Sequence, residues 1–158
     1  MNNVDIFSYS FLDASNEEVH MNAFKGKTIL IVNTADECEY TNQYAELESF
    51  YRNNKDRGFE IIAFPSGNFG HNPGKTEDHL KFCKDSFDIS FTIALKSHVN
   101  KEPYGAVFQY LKESVKGGQD IEEDFEKFLI LKDGSILNFS PDKTILEFED
   151  VIIKDLEK

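Results

Sequence analysis

A single thiol lies in the acidic stretch NTADECEYTNQY, residues 33–44. Cys38 follows an apolar run and precedes an amphipathic one, which places it between a predicted buried strand and a predicted helix. Catalytic groups of open α/β sheets gather at that edge, and a helix N-terminus lowers a thiol pKa from about 8.5. Glu37 and Glu39 oppose this, because a unit charge about 6 Å away disfavours the thiolate by roughly 0.7 to 3 kcal/mol. The residues alone leave open whether Cys38 is a nucleophile or an inert turn cysteine.

The second cysteine, Cys83, lies in a segment with helical periodicity. Leu80, Cys83 and Phe87 share one face of that helix, so we expect the thiol on its inward side. Taken alone, this pattern favours a buried free thiol that fills an apolar face. Two cysteines without a CxxC motif are too few for a disulfide framework, and they weaken the case for a disulfide oxidoreductase or isomerase.

The histidines of this sequence offer no second reactive centre. The four of them are scattered without ligand spacing, so neither a metal site nor a bound cofactor is expected. His71 and His79 lie near a polar loop and the start of a helix. We interpret both as surface residues.

The composition excludes several classes of partner. The chain of 158 residues carries 17 Lys and Arg against 29 Asp and Glu, a net charge of −12. Such a chain repels nucleic acids and anionic membrane surfaces, so neither is an expected partner. No apolar run approaches the roughly 18 residues of a membrane helix, and the N-terminus has no basic region, which predicts a cytoplasmic protein. The length suits one domain over residues 1–158 with an aromatic core.

The periodicity of the chain predicts an α/β fold with a mixed sheet, because a central βαβ unit precedes a final antiparallel hairpin. The first half is predicted to form a hairpin of 6–12 and 19–21, then strands over 28–35 and 59–65, with a helix capped by Thr41 or Asn42 between these two strands. A helix capped by Thr76, a short strand over 89–95 and a helix from Pro103 to Glu113, with Val107 and Leu111 inward, are predicted to follow. The last predicted elements are a hairpin of 125–131 and 136–140 and a helix over 144–157.

Four segments, in order, resemble the glutathione peroxidases, which are thiol peroxidases with a thioredoxin-like fold. Residues 24–51 resemble the family's strand, nucleophile loop and first helix, where Cys or selenocysteine is followed by x-x-T-x-Q-Y. Residues 59–74 resemble the loop FPxNQFGxQEPG, and residues 77–93 resemble the helix of two-cysteine members, with Cys ending EFC. Residues 124–141 resemble WNFxKFLVDxDGxVxxRFxP. The resemblance implies a mixed central sheet flanked by helices, with an N-terminal β-hairpin.

The resemblance also implies a chemistry for the two cysteines. Cys38 matches the peroxidatic cysteine, whose thiolate attacks the peroxide O–O bond and becomes a sulfenic acid. Cys83 matches the resolving cysteine, which condenses with it to a disulfide that a thioredoxin-like protein or a small thiol reduces. A bridge requires Cα atoms roughly 4.4 to 6.8 Å apart, so we expect local unwinding of the helix that carries Cys83.

The positions that resemble the family's catalytic tetrad depart from it. The tetrad Cys, Gln, Trp and Asn fall on Cys38, Asn68, Glu123 and Asp124. Asn68 keeps an amide donor, whereas Glu123 replaces an indole N–H by an acceptor and an ionised Asp124 loses a donor. Together with Glu37 and Glu39, these residues would bring four acidic groups to face the thiol and depress its thiolate population. A protonated buried carboxyl avoids this, and so does a shifted alignment in which residues 122–124 are surface charges.

Two interpretations of function follow. In the first, the chain is an atypical two-cysteine peroxidase for hydrogen peroxide or small organic hydroperoxides. In the second, the scaffold is kept but activity is weakened or lost, and the protein is a redox sensor or a noncatalytic binding protein. The short loop over 114–123 is typical of monomeric or weakly dimeric members, and the lack of clustered Lys and Arg argues against a built-in glutathione site. The placement of both cysteines favours the first.

Overall fold

A five-stranded mixed sheet forms the middle of the molecule, with strand order β5-β4-β3-β6-β7. The computed structural model describes residues 5–66, 69, 74–96 and 105–158. β3 pairs parallel with β4, which pairs parallel with β5, while β3–β6 and β6–β7 are antiparallel. The strands are β1 (Ser10–Leu12), β2 (Glu18–His20), β3 (Thr28–Thr34), β4 (Phe59–Pro65), β5 (Thr92–Ile93), β6 (Lys127–Ile130) and β7 (Ile136–Phe139).

Helices flank this sheet, and β1 and β2 form a separate antiparallel hairpin near the N-terminus. The predicted mixed sheet and N-terminal hairpin are therefore confirmed. The α-helices are α1 (Gln43–Asn54), α2 (Thr76–Phe87), α3 (Gly105–Val115) and α4 (Glu149–Leu156). Short 3-10 helices cover Ile6–Ser8, Met21–Phe24, Lys55–Arg57 and Ile145–Glu147.

Strand β3 separates two apolar clusters, because side chains alternate between the faces of a sheet. Ile29 and Ile31 join the cluster that includes α3, where Val107 and Leu111 face inward as predicted. Leu30 and Val32, which alternate with them along β3, join the opposite cluster, which α1, α2 and α4 cover. Both cysteines belong to this second cluster, so the two thiols lie on the same side of the sheet.

Several predicted strands are shorter in the structure. The predicted strand 6–12 begins with a 3-10 turn, because the carboxylate of Asp5 accepts a hydrogen bond from Phe7 N at 2.9 Å. The predicted strand 89–95 is reduced to two residues. β6 begins at Lys127 and not at Phe125, whose φ of +68° is incompatible with extended backbone. The predicted C-terminal helix is broken, because Phe148 has φ −130° and separates a 3-10 turn from α4.

The predicted helix caps were also partly wrong. Asn42 occupies the N-cap of α1 but makes no side-chain cap hydrogen bond, and Thr41 bonds elsewhere. Thr76 is the first residue of α2, so Lys75 precedes it as N-cap. The carboxylate of Asp78 accepts from Lys75 N at 2.9 Å and holds that end of the helix. Pro103 lies outside the described residues, and α3 is described from Gly105.

Candidate active site

The loop from β3 to α1 places Cys38 at the carboxyl edge of the sheet, half-buried. Thr41 fixes the loop, since its Oγ1 accepts from Cys38 N at 2.9 Å and donates to Ala35 O at 3.0 Å. Tyr40 N donates to Cys38 Sγ at 3.2 Å. α1 starts five residues beyond the thiol, at Gln43. A turn N–H therefore supports the sulfur in place of the predicted helix terminus.

A second segment reaches the same edge through Asn33 of β3. Asn33 Nδ2 donates to Glu123 O at 2.9 Å, and Asn33 O accepts from Phe125 N at 2.5 Å. Glu123 Oε1 folds back to accept from Asp124 N at 2.8 Å. Phe125 holds a left-handed φ of +68°, a conformation that costs free energy in an aromatic residue and that this clamp maintains.

Burial and four neighbouring groups shift the pKa of the Cys38 thiol. Burial raises this pKa most, hydrogen bonds involving Thr41 and Tyr40 lower it, and the charges of Asp124 and Glu123 raise it. Of the four acidic residues that the sequence pointed to, Glu37 and Glu39 are exposed, whereas Glu123 and Asp124 act on the thiol. The carboxylates that oppose the thiolate thus come from a distant part of the chain.

The predicted tetrad positions are only partly described. Asn68 lies outside the described residues. Asp124 is fully buried and Glu123 half-buried, so the interpretation of residues 122–124 as a solvated face is wrong for Asp124. The structure brings Asp124, Glu123 and Cys38 together, and their catalytic roles stay a prediction.

A buried cation near Cys38 was not predicted from the sequence. Lys127 is fully buried, and its Nζ donates to Phe125 O at 2.8 Å and Pro141 O at 3.0 Å. Burial lowers the Lys127 pKa to about 8, while attraction to acidic groups that include a Cys38 thiolate raises it. That attraction is mutual, so Lys127 favours the thiolate. The signal in the sequence was a lysine inside the apolar run FEKFLIL.

The second thiol lies in a buried polar cluster on α2. Cys83 is 1% exposed, and its Sγ is 3.3 Å from His79 Nε2, one helical turn away. The same nitrogen is 2.9 Å from Tyr44 Oη on α1, and His79 Nδ1 is 3.9 Å from Asp36 Oδ2. The inward position of Cys83 is as predicted. The interpretation of His79 as a surface residue is wrong, because its side chain is 2% exposed, and His71 lies outside the described residues.

Burial keeps both members of this contact neutral. Desolvation, and then the charge of Lys96, lowers the His79 pKa to about 4. Desolvation raises the Cys83 pKa to about 12, against a hydrogen bond from Tyr44 that lowers it. In the folded protein Cys83 is therefore a protonated and unreactive thiol, and Cys38 is the accessible one.

Comparison with known proteins identifies the family. Residues 6–112 match the family model of glutathione peroxidase. The chain belongs to the glutathione peroxidase family. It is 40% identical over 116 residues to the glutathione peroxidase-like peroxiredoxin gpx1 of Schizosaccharomyces pombe, which covers 72% of this chain and 73% of that one. It is 34% identical over 155 residues to a glutathione peroxidase of Lactococcus lactis, which covers 96% of this chain and 99% of that one.

Solved structures agree with this assignment. The apo crystal structure of Trgpx has a TM-score of 0.79 at 27% identity and covers 99% of this chain and 98% of that one. A thioredoxin family thiol:disulfide interchange protein of Chlorobium tepidum has a TM-score of 0.71 at 13% identity, covering 99% and 98% of the two chains, and supports the fold alone. This glutathione peroxidase family member thus has the thioredoxin-like fold expected from its sequence.

Family membership decides between the two interpretations of the sequence. The chain is a thiol peroxidase, and the noncatalytic alternative is not favoured. In the part of the chain that the structure describes, no helix is long and apolar enough to cross a membrane. Within the same ranges no group of three His, Cys, Asp or Glu residues is arranged to hold a metal ion.

Proposed function

We propose that Cys38 is the peroxidatic cysteine and Cys83 the resolving cysteine of a cycle that reduces hydrogen peroxide or small organic hydroperoxides. Cys38 Sγ attacks the terminal peroxide oxygen, the O–O bond breaks, and the leaving oxygen takes a proton to form water or an alcohol. Cys83 Sγ then attacks the Cys38 sulfenic sulfur, and water is released as the disulfide forms. A dithiol reductant returns both thiols.

The observation that carries this proposal is the contrast between two free thiols on one side of the sheet. Cys38 is half-buried and accepts an N–H bond, as a nucleophile that meets a small peroxide requires. Cys83 is buried and in contact with His79 and Tyr44. It has to leave those contacts to reach Cys38, so resolution includes a local opening of α2.

Asn68, Glu123 and Asp124 complete the proposed site. The Asn68 amide is the proposed donor to the peroxide. A protonated Asp124 donates a hydrogen bond, whereas an ionised Asp124 slows the reaction by opposing the thiolate.

The proposed reductant is a thioredoxin-like protein, with a small thiol as the alternative. In the proposed disulfide, Cys83 lies on a helix that has opened, so an external dithiol can attack the bond. A net charge of −12 gives no general attraction to anionic glutathione. The cytoplasmic location, the single domain and the monomeric or weakly dimeric state remain predictions from the sequence.

The first experiment mixes reduced protein with one equivalent of hydrogen peroxide and follows thiol loss and intact mass. Wild type is expected to lose two hydrogens rapidly, Cys83→Ser to gain one oxygen at the same rate, and Cys38→Ser to react no faster than a free thiol. Thioredoxin with its reductase is then supplied, and turnover is expected for wild type alone. Peroxide-dependent thioredoxin oxidation that persists in Cys38→Ser would refute the assignment.

A further inference from the structure

His79 faces three polar groups, although its side chain is only 2% exposed. Its Nε2 is 2.9 Å from Tyr44 Oη and 3.3 Å from Cys83 Sγ. Its Nδ1 points the other way, 3.9 Å from Asp36 Oδ2. The order carboxylate, imidazole, thiol is the arrangement in which a histidine activates a cysteine nucleophile.

The Asp36 carboxylate favours one tautomer of the imidazole. Within the described residues Nδ1 itself makes no hydrogen bond, but Asp36 Oδ2 lies 3.9 Å away and attracts a proton on Nδ1 electrostatically. In that tautomer Nε2 carries the one free lone pair of the ring, to which either the Tyr44 hydroxyl or the Cys83 thiol donates at a given time. The opposite tautomer would leave a bare Nδ1 lone pair beside a carboxylate. The imidazole therefore presents a basic nitrogen to the Cys83 thiol.

We propose that His79 is a catalytic residue of the resolving step, the general base that takes the Cys83 thiol proton as Cys83 Sγ attacks the Cys38 sulfenic sulfur. The S–S bond forms as the S–O bond breaks, and the proton passes from the His79 imidazolium to the departing hydroxide, giving water. No further oxidant or reductant is required. This inference rests on the proposed roles of Cys38 and Cys83.

The closed helix keeps this pair inactive. While both side chains are buried, the pKa of His79 is about 4 and that of Cys83 about 12, so proton transfer between them is strongly uphill. Opening of α2 hydrates both and returns them toward ordinary values, where transfer to imidazole is feasible. His79 and Cys83 are one helical turn apart, so the proposed role of His79 requires that this turn stays helical while it becomes exposed. The base thus becomes effective when the thiol is released toward Cys38.

Charged and titratable groups surround His79 from each packed element. Asp36 approaches from the loop after β3 and Tyr44 from α1. Lys96, which follows β5, lowers the His79 pKa, and Asp78 of α2 raises the pKa of Asp36. Burial and the charge of Lys96 both disfavour the imidazolium, so His79 is neutral in the closed protein.

The test separates the two chemical steps by rapid mixing of the reduced protein with peroxide across a pH series. Oxidation of Cys38 is followed as the first phase and disulfide formation, checked by intact mass, as the second. His79→Gln is expected to keep the first phase within about twofold and to slow the second at least tenfold at neutral pH, since general base catalysis contributes about 10² to 10⁴. The second phase of wild type rises with pH as His79 deprotonates, and the variant loses that rise. His20→Gln, at an exposed histidine paired with Glu18, is the matched control.

The outcomes distinguish this inference from the proposed function. A wild type that forms no disulfide between Cys38 and Cys83 overturns both. A wild type that forms it, with His79→Gln equal in rate and pH profile, overturns the role of His79 alone. Nitrogen NMR of the reduced wild type tests the same idea without a variant. A protonated Nδ1 is expected, and a protonated Nε2 in the neutral ring would refute the inference.

Discussion

His79 Nε2 and Cys83 Sγ lie 3.3 Å apart on successive turns of α2, and both side chains are almost completely buried. A neutral imidazole and a neutral thiol share an enclosed space that also holds Tyr44. The reactivity of Cys83 is therefore controlled by exposure of the helix, because burial shifts both pKa values against ionisation.

Lowering the pH is expected to decrease the free energy of unfolding, because the unfolded chain protonates His79 more readily than the folded one. The His79 pKa is about 4 in the folded state and 6.5 ordinarily, so between these values the unfolded chain binds a proton that the folded one excludes. Stability from this group is full above pH 6.5 and decreases as pH falls, by up to about 3 kcal/mol. Urea unfolding at neutral pH and near pH 4 should show this loss in wild type and in His20→Gln. An equal loss in His79→Gln would contradict it.

Removing the buried charge at Asp124 is expected to activate Cys38. The charge of Asp124 raises the Cys38 pKa, so Asp124→Asn should lower it. Ultraviolet titration of the thiolate and the peroxide rate at neutral pH measure the change. Glu122→Gln, at the exposed neighbouring position, is the control and should change neither. An unchanged Cys38 pKa in Asp124→Asn would contradict this electrostatic role.

Loss of the buried ammonium of Lys127 is expected to have the opposite effect. A Cys38 thiolate and Lys127 attract each other, so Lys127→Met should raise the Cys38 pKa and slow reaction with peroxide several-fold at neutral pH. The same titration and rate measurement apply. Lys143→Met removes an exposed lysine and should leave both unchanged. Equal pKa values in wild type and Lys127→Met would exclude an electrostatic role.

The hydroxyl of Thr41 is expected to matter for both stability and reactivity. It accepts from Cys38 N and donates to Ala35 O inside the nucleophile loop. Thr41→Val leaves two buried groups unpaired and should cost about 1 to 3 kcal/mol in the free energy of unfolding, with a higher Cys38 pKa. Thr41→Ser retains the hydroxyl and should stay close to wild type. Denaturant unfolding and thiolate titration check both expectations.

Local pattern was enough to predict the regular elements of this fold. The run TILIVNT is apolar on both faces, so it predicts a buried strand, and β3 is buried throughout. The pattern failed where a long-range contact set the backbone. Phe125 reads as strand, but its bond to Asn33 O accompanies a left-handed φ. The histidine of α2 reads as polar and exposed, but the fold packs α1 against it through Tyr44.

The sequence by itself determined the family, the mixed sheet and the places of Cys38 and Cys83, because these depend on residue types and spacing along the chain. Only the tertiary structure decided the electrostatics of the two thiols. Burial shifts both pKa values most, and several groups that modify them, Asp124 and Lys127 for one thiol and Tyr44 for the other, are distant in sequence from the sulfur they affect. Burial and Coulomb interactions depend on distances in space. Those distances follow from the packing of the sheet and helices and not from the positions of residues along the chain.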